Sequence, residues 1–147
     1  MKPARSRPAA SGRPRILVVE DEAVVAIEIA QVLVKAGFEV VGPARTANQA
    51  LQLVNEIGCD AAVLDVNLGS ETSERVALRL MERGTPFITL SGYSKEQHPL
   101  LFNGARSLAK PLQPKFLIAE LETCMAHRSA ASQGSASLPV HELSAVS

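Results

Sequence analysis

The chain has 147 residues and carries equal numbers of acidic and basic side chains, 15 of each. That length fits one ordinary domain with some tail. No apolar run approaches the ~18 residues of a membrane span, and the basic N-terminus lacks the apolar stretch of a secretory signal. Tryptophan is absent and only one Tyr and four Phe occur, so the core has to be aliphatic.

The neutral balance conceals an asymmetry. Lys2, Arg5, Arg7, Arg13 and Arg15 place five positive charges in the first fifteen residues, and the remainder is left with ten basic and fifteen acidic side chains. The basic arm has no interleaved aromatics and no helical pattern, so it reads as a solvated tail rather than a nucleic-acid contact. Cys59 and Cys124 lie far apart, which gives neither a disulfide framework nor a metal-ligand spacing. Both are expected as reduced thiols of a cytoplasmic protein.

Residues 1–14, rich in Pro, Ala, Ser and Arg, read as a disordered arm. Residues 15–19 form a short β-branched run, a buried strand. Residues 23–36 follow with Val25, Ile29, Val32, Leu33 and Ala36 at helical spacing, stopped by Gly37. Residues 38–41 are a second strand, closed by Gly42-Pro43. Thr46 offers a helix N-cap with Gln49 three residues on, and Ala50, Leu53, Val54 and Ile57 supply the apolar face up to Gly58. Residues 61–64 are a third strand. Residues 73–83 are a helix ended by Gly84, and 87–90 a fourth strand. Residues 94–103 make a short, awkward helix candidate containing Pro99. Residues 107–109 are a weak fifth strand. Pro114 at the first helical position begins a last helix that runs to about His127. Residues 128–147, rich in Ser and Ala, read as a disordered tail, which leaves 15–127 as the domain.

Strands alternating with helices predict an α/β fold: a doubly wound, five-stranded parallel sheet with helices on both faces. In such sheets ligands bind beyond the carboxyl ends of the strands. Glu20, Asp21, Asp65, Ser91 and Lys110 all fall at such ends, although ninety residues separate the first from the last.

Carboxylates gathered at one rim repel one another by roughly 4 kcal/mol per close pair at an effective dielectric near 20. A hard cation relieves that cost. Magnesium takes oxygen ligands and is held by one or two carboxylates plus phosphate, and the absence of His and Cys from the set argues against zinc. A cation beside a carboxylate also suits phosphoryl transfer, which depends on positioning and on neutralising the equatorial oxygens. Asp65 would be the nucleophile, Lys110 would take one phosphoryl oxygen and Ser91 would donate to another. A further role competes for two of these residues. Glu20 or Asp21 could cap the first helix, and Asp60 is expected only to lead into its strand. Glu71, Glu74 and Arg75 are expected as solvated charge.

Four segments, Ile16-Leu17-Val18-Val19-Glu20-Asp21-Glu22, Val63-Leu64-Asp65-Val66-Asn67-Leu68, Thr89-Leu90-Ser91-Gly92-Tyr93 and Leu108-Ala109-Lys110-Pro111, together resemble the receiver domains of two-component response regulators. The resemblance runs from about Arg15 to His127 and implies a flavodoxin-like sheet. It implies that Asp65 is the phosphoacceptor, that Asp21 ligates Mg2+ directly and Glu20 through water, and that Asn67 gives the cation its backbone carbonyl. It makes Ser91 the switch hydroxyl and Lys110 the lysine that pairs with the phosphoryl group, ahead of a cis bond to Pro111. It implies a phosphohistidine donor on a histidine kinase or phosphotransfer protein. The family usually carries Tyr or Phe three residues before the lysine, and here that position is Ser107. A variant group of single-domain regulators lacks that aromatic, and the signal is then expected to travel through residues 92–103, beginning at Gly92 and Tyr93.

The expected function is phosphorelay signalling from a monomer or weak homodimer without an output domain, through phosphorylation-dependent partner binding or as a phosphoryl sink. The alternatives are a constitutive protein-binding module and a Mg2+-dependent phosphohydrolase. The latter would need a second acid two residues past the nucleophile, where Asn67 stands.

Overall fold

A computed structural model describes residues 12–92 and 106–137, with side chains as far as His127. Nine elements follow in chain order: β1 (Arg15–Val19), α1 (Ala23–Lys35), β2 (Glu39–Ala44), α2 (Ala47–Glu56), β3 (Ala61–Asp65), α3 (Glu74–Glu82), β4 (Phe87–Ser91), β5 (Arg106–Ala109) and α4 (Pro114–Ser137). The strands form one five-stranded sheet in the order β2-β1-β3-β4-β5, and every pairing is parallel.

Strand alternation divides the core into two layers. Leu17, Val19, Ala62 and Leu64 face Ala47, Ala50 and Val54 of α2 and Val76, Ala77 and Leu80 of α3. Their neighbours Ile16, Val18, Ala61 and Val63, with Ile88 and Leu90, face Ile29 and Leu33 of α1 and Leu117, Leu121 and Cys124 of α4. The β1 and β3 runs are apolar on both faces because both faces are covered. This is the doubly wound sheet that the sequence predicts.

Three local features differ from the sequence reading. Gly42-Pro43 does not close β2; the strand continues to Ala44. Leu17 pairs with Val41 and Val19 with Ala44, so two residues of β1 span three of β2. This is a bulge on an edge strand, where a proline's missing N–H breaks no ladder bond. Gly42 is required there: it has φ +98°, and a Cβ on it would lie 2.7 Å from the Ala44 nitrogen. The Gly42-Pro43 bond is cis, as is Lys110-Pro111, the latter as the family resemblance implies.

At the start of α2, Thr46 Oγ1 accepts from the Gln49 amide at 3.1 Å as expected. Gln49 reaches back one residue further than a capping box does, to the Arg45 amide at 2.8 Å. Finally, α4 does not stop near His127: its backbone stays helical to Ser137. A helix already nucleated by packing propagates at little cost into a stretch of Ala, Ser and Gln. The helix candidate at 94–103 and Tyr93 lie outside the described residues, as do residues 1–11.

Candidate functional site

The parallel register carries four strand ends to one rim. Glu20 and Asp21 follow β1, Asp65 ends β3, Ser91 ends β4, and Lys110 follows β5. Asp65 pairs with Leu90 and Ser91 with Ala109, so Asp65, Ser91 and Lys110 occupy neighbouring rows. The Lys110 amide donates to the Ser91 carbonyl at 3.0 Å, which extends the β4–β5 ladder to the lysine.

One carboxylate oxygen from each of Glu20, Asp21 and Asp65 lies within 4.8 Å of the other two. Glu20 is 0% exposed and Asp65 5%, while Asp21 is half-buried. The Lys110 ammonium donates to Asp65 Oδ2 at 3.3 Å and stands 3.4 Å from Glu20 Oε1. Glu20 Oε2 accepts from the Glu22 amide at 3.1 Å. Glu20 therefore bonds within the turn before α1 and faces the cluster as well, but neither it nor Asp21 caps the helix. Glu22 occupies the cap position of α1 itself and makes no side-chain cap bond.

Burial pushes the Glu20 carboxyl up to about 7, and the adjoining Asp65 carboxylate adds to that shift. A buried carboxyl beside a carboxylate holds its proton because ionising it would place two like charges in a dry site. Burial works against the Lys110 ammonium too, but Asp65 and Glu20 outweigh it and its pKa is raised. Among the described residues, one ammonium thus faces two of the three acids.

The donor set fits magnesium. All three ligand groups are carboxylates, and Glu20 Oε1 is buried without a hydrogen bond, with the Lys110 ammonium 3.4 Å away. That ammonium is shared with Asp65 Oδ2 at 3.3 Å, so a further positive charge at the cluster would be favourable.

Asn67 lies two residues beyond Asp65, with its side chain exposed and its backbone bridged to Thr72. The loop is closed by the Leu68 amide on the Glu71 carbonyl at 2.8 Å and by the Ser73 amide on the Val66 carbonyl at 3.0 Å. Gly69, at φ +80°, brings this loop against the acids: a Cβ there would sit 3.4 Å from Asp21 Oδ2. Gly92 borders the lysine stem, with a Cβ position 3.7 Å from Lys110 Cδ. Ser107 is exposed on β5.

Two contacts run against the sequence reading. Glu71 and Arg75 are not simply solvated: Glu71 Oε2 accepts from the Ala47 amide at 3.1 Å, and Arg75 donates to Asn48 Oδ1 at 2.9 Å. Arg45, which no sequence motif singles out, donates from Nε and Nη2 to the Asp21 carbonyl at 3.3 and 3.0 Å. Its only sequence signal is its place two residues after the Gly42-Pro43 pair.

Comparison with known proteins agrees with this geometry. Residues 16–122 match the family model described as the response regulator receiver domain. The solution structure of SdrG from Sphingomonas melonis is similar at a TM-score of 0.68 and 34% identity, over 78% of this chain and 97% of that one. A CheY-like receiver domain protein from Methanospirillum hungatei shares the fold at a TM-score of 0.71 and 23% identity, over 80% of this chain and 98% of that one. Among curated relatives, the transcriptional regulatory protein PdtaR of Mycobacterium tuberculosis is 28% identical over 111 residues, which are 73% of this chain and 52% of PdtaR. A protein-glutamate methylesterase/protein-glutamine glutaminase of Archaeoglobus fulgidus is 36% identical over 84 residues, 56% of this chain and 24% of that protein. The chain therefore spans a quarter to about half the length of these curated relatives. With acids, lysine and sheet in this arrangement and the family model covering most of its length, the chain belongs to the response regulator receiver domain family of two-component signalling.

Proposed function

We propose that Asp65 accepts a phosphoryl group from a phosphohistidine on a histidine kinase or phosphotransfer protein. One observation carries this reading: the Asp65 carboxylate is nearly buried, paired with Lys110 at 3.3 Å, and grouped with Glu20 and Asp21. An ordinary structural ion pair has no use for two further acids.

Glu20, Asp21, Asp65 and the backbone carbonyl of Asn67 would hold Mg2+. When bound, the cation supplies positive charge against a phosphoryl oxygen and offsets the repulsion among the acids. The chain's own groups do the rest. An Asp65 carboxylate oxygen attacks phosphorus, the phosphorus–nitrogen bond of the donor breaks, and its electron pair leaves on the imidazole nitrogen. Lys110 stays ionised, its pKa being raised by its carboxylate partners, and offers its ammonium to a second phosphoryl oxygen. The Ser91 hydroxyl donates to a third. The low exposure of Asp65 limits access of the water that would hydrolyse the acyl phosphate.

Phosphorylation is read out by partner binding in the cytoplasm, or the domain drains phosphoryl groups as a sink. With Ser107 where an aromatic reporter usually stands, the segment that begins at Gly92 and Tyr93 carries the change.

Incubation with acetyl phosphate or phosphoramidate and Mg2+, followed by intact-mass measurement, tests the acceptor. The expected result is the mass gain of one phosphoryl group in the wild type and complete loss of that gain in Asp65→Asn. No gain with either donor, or an unchanged gain in Asp65→Asn, overturns the assignment.

A further inference from the structure

The cation site is assembled from two turns that do not adjoin in sequence: residues 20–22 after β1 and residues 66–73 after β3. Both are tied to one short stretch of chain, the corner between β2 and α2. On one side, the Ala44 carbonyl accepts from the Glu20 amide at 2.9 Å, and the Arg45 guanidinium grips the Asp21 carbonyl through two nitrogens at 3.3 and 3.0 Å. On the other side, the Ala47 amide donates to Glu71 Oε2 at 3.1 Å and Asn48 Oδ1 accepts from Arg75 at 2.9 Å. Ala47 is the first residue of α2, so Glu71 satisfies one of the helix's unpaired amides and its charge suits that end of the helix dipole.

The β2 bulge brings the corner into place. Three β2 residues are spent against two of β1, which puts Ala44 opposite Val19 and leaves Arg45 one residue further on, within reach of the Asp21 carbonyl. Without the extra residue, the alternation of the strand would turn the Arg45 side chain to the other face of the sheet. Gly42 permits the bulge, because any Cβ there would meet the Ala44 nitrogen at 2.7 Å and the Val18 carbonyl oxygen at 3.2 Å. Bulges beside binding sites commonly re-aim a side chain in this way.

We propose that this corner is a positioning device for the cation site: Arg45 fixes the backbone of the turn that carries Asp21, and the Ala47 amide, through Glu71, fixes the loop that carries Asn67. Neither Arg45 nor Glu71 touches the cation. The inference rests on the reading of Glu20, Asp21 and Asp65 as a magnesium site. Partners of this outer kind hold ligands in orientation and are commonly worth a large factor in affinity. Arg45 is exposed, so its share is set at the low end.

The sign of the effect separates positioning from plain electrostatics. A guanidinium held on the Asp21 carbonyl repels a cation arriving at the acids, so deleting a charge that did nothing else would tighten Mg2+ binding. A clamp whose loss frees the Asp21 turn would weaken it.

Titration calorimetry with MgCl2 on the whole chain tests this, with thermal unfolding of the metal-free protein alongside. Arg45→Met is expected to weaken Mg2+ binding about three- to tenfold, with the metal-free melting temperature nearly unchanged. Arg45→Lys, which keeps the charge and one donor, restores part of the affinity. Glu71→Ala weakens binding similarly, and Glu71→Gln, whose Oε1 can still accept from the Ala47 amide, largely retains it. Arg79→Ala removes an exposed guanidinium that bonds to Asn55 and Glu82 away from the rim and leaves affinity unchanged. Equal or tighter binding in Arg45→Met, while the wild type binds, overturns the positioning role and leaves the site intact. A wild type that binds no Mg2+ overturns the site and this inference together.

Discussion

The two edges of the sheet treat charge in opposite ways. At the edge where the strands begin, charged residues bond largely to the backbone. The Arg15 amide donates to Asp60 Oδ2 at 2.7 Å, the Asp60 amide donates to the Arg15 carbonyl at 2.8 Å, and Arg83 donates to the Val54 carbonyl at 2.7 Å. At the edge where the strands end, three carboxylates crowd one ammonium, and Glu20 is fully buried among them. One edge holds the strands in register, and the other stores repulsion that a cation can release.

That contrast can be broken or sharpened by measurement. The largest effect is expected from Glu20, whose carboxyl is raised from 4.5 to about 7. A raised folded-state pKa means that the native chain binds more protons than the unfolded one between those values. The stabilisation is complete below pH 4.5 and is lost as pH climbs through about 7. Without metal, the wild type should lose on the order of 3 kcal/mol across that window relative to Glu20→Gln. Urea unfolding of both proteins at several pH values would show it. Parallel curves would mean that Glu20 ionises normally and that the rim stores no repulsion.

Lys110→Met comes next. It removes the only ammonium that the described residues show facing Glu20 and Asp65. Breaking such a pair leaves buried charge uncompensated, and with Lys110 partly exposed the cost should be about 2 kcal/mol at pH 7.5 without metal. Saturating Mg2+ should recover a good part of it, because a ligand that binds only the folded state stabilises by mass action. A variant as stable as the wild type without metal would remove the charge imbalance from the comparison.

The smallest effect belongs to the other edge. Asp60→Asn keeps an oxygen for the Arg15 amide and should change stability by no more than about 0.5 kcal/mol. The Mg2+-induced rise in melting temperature should not change. A loss of magnesium response in that variant would show that the two edges are not independent.

Much of this was legible in the chain itself. Apolar runs such as Ile16–Val19 and Ala61–Leu64, each followed by a carboxylate, mark strand ends because a charge ends a buried run wherever it stands. Gly58 and Gly84 follow α2 and α3 at positive φ, as helix-stopping glycines do. The bulge was not legible. Gly42-Pro43 reads as punctuation, and on an interior strand it would have been. It is tolerated inside β2 because β2 lies at the edge of the sheet, and strand order is not a local property. Arg45 and Glu71 escaped for the same reason. A surface arginine and a loop glutamate look solvated until the parts of the backbone they reach are known.

The sequence by itself determined the periodicities, the alternation of strand and helix, and the five polar side chains that end the strands. Those are local consequences of side-chain chemistry repeated along one chain. The tertiary structure decided which strands lie side by side, and therefore that Glu20, Asp21, Asp65 and Lys110 share one pocket of charge. It also decided that Glu20 is buried enough to hold a proton near neutrality, because desolvation depends on what surrounds a group in space. It placed the β2 corner against both turns that flank the acidic cluster, a contact accompanied by one extra residue in an edge strand.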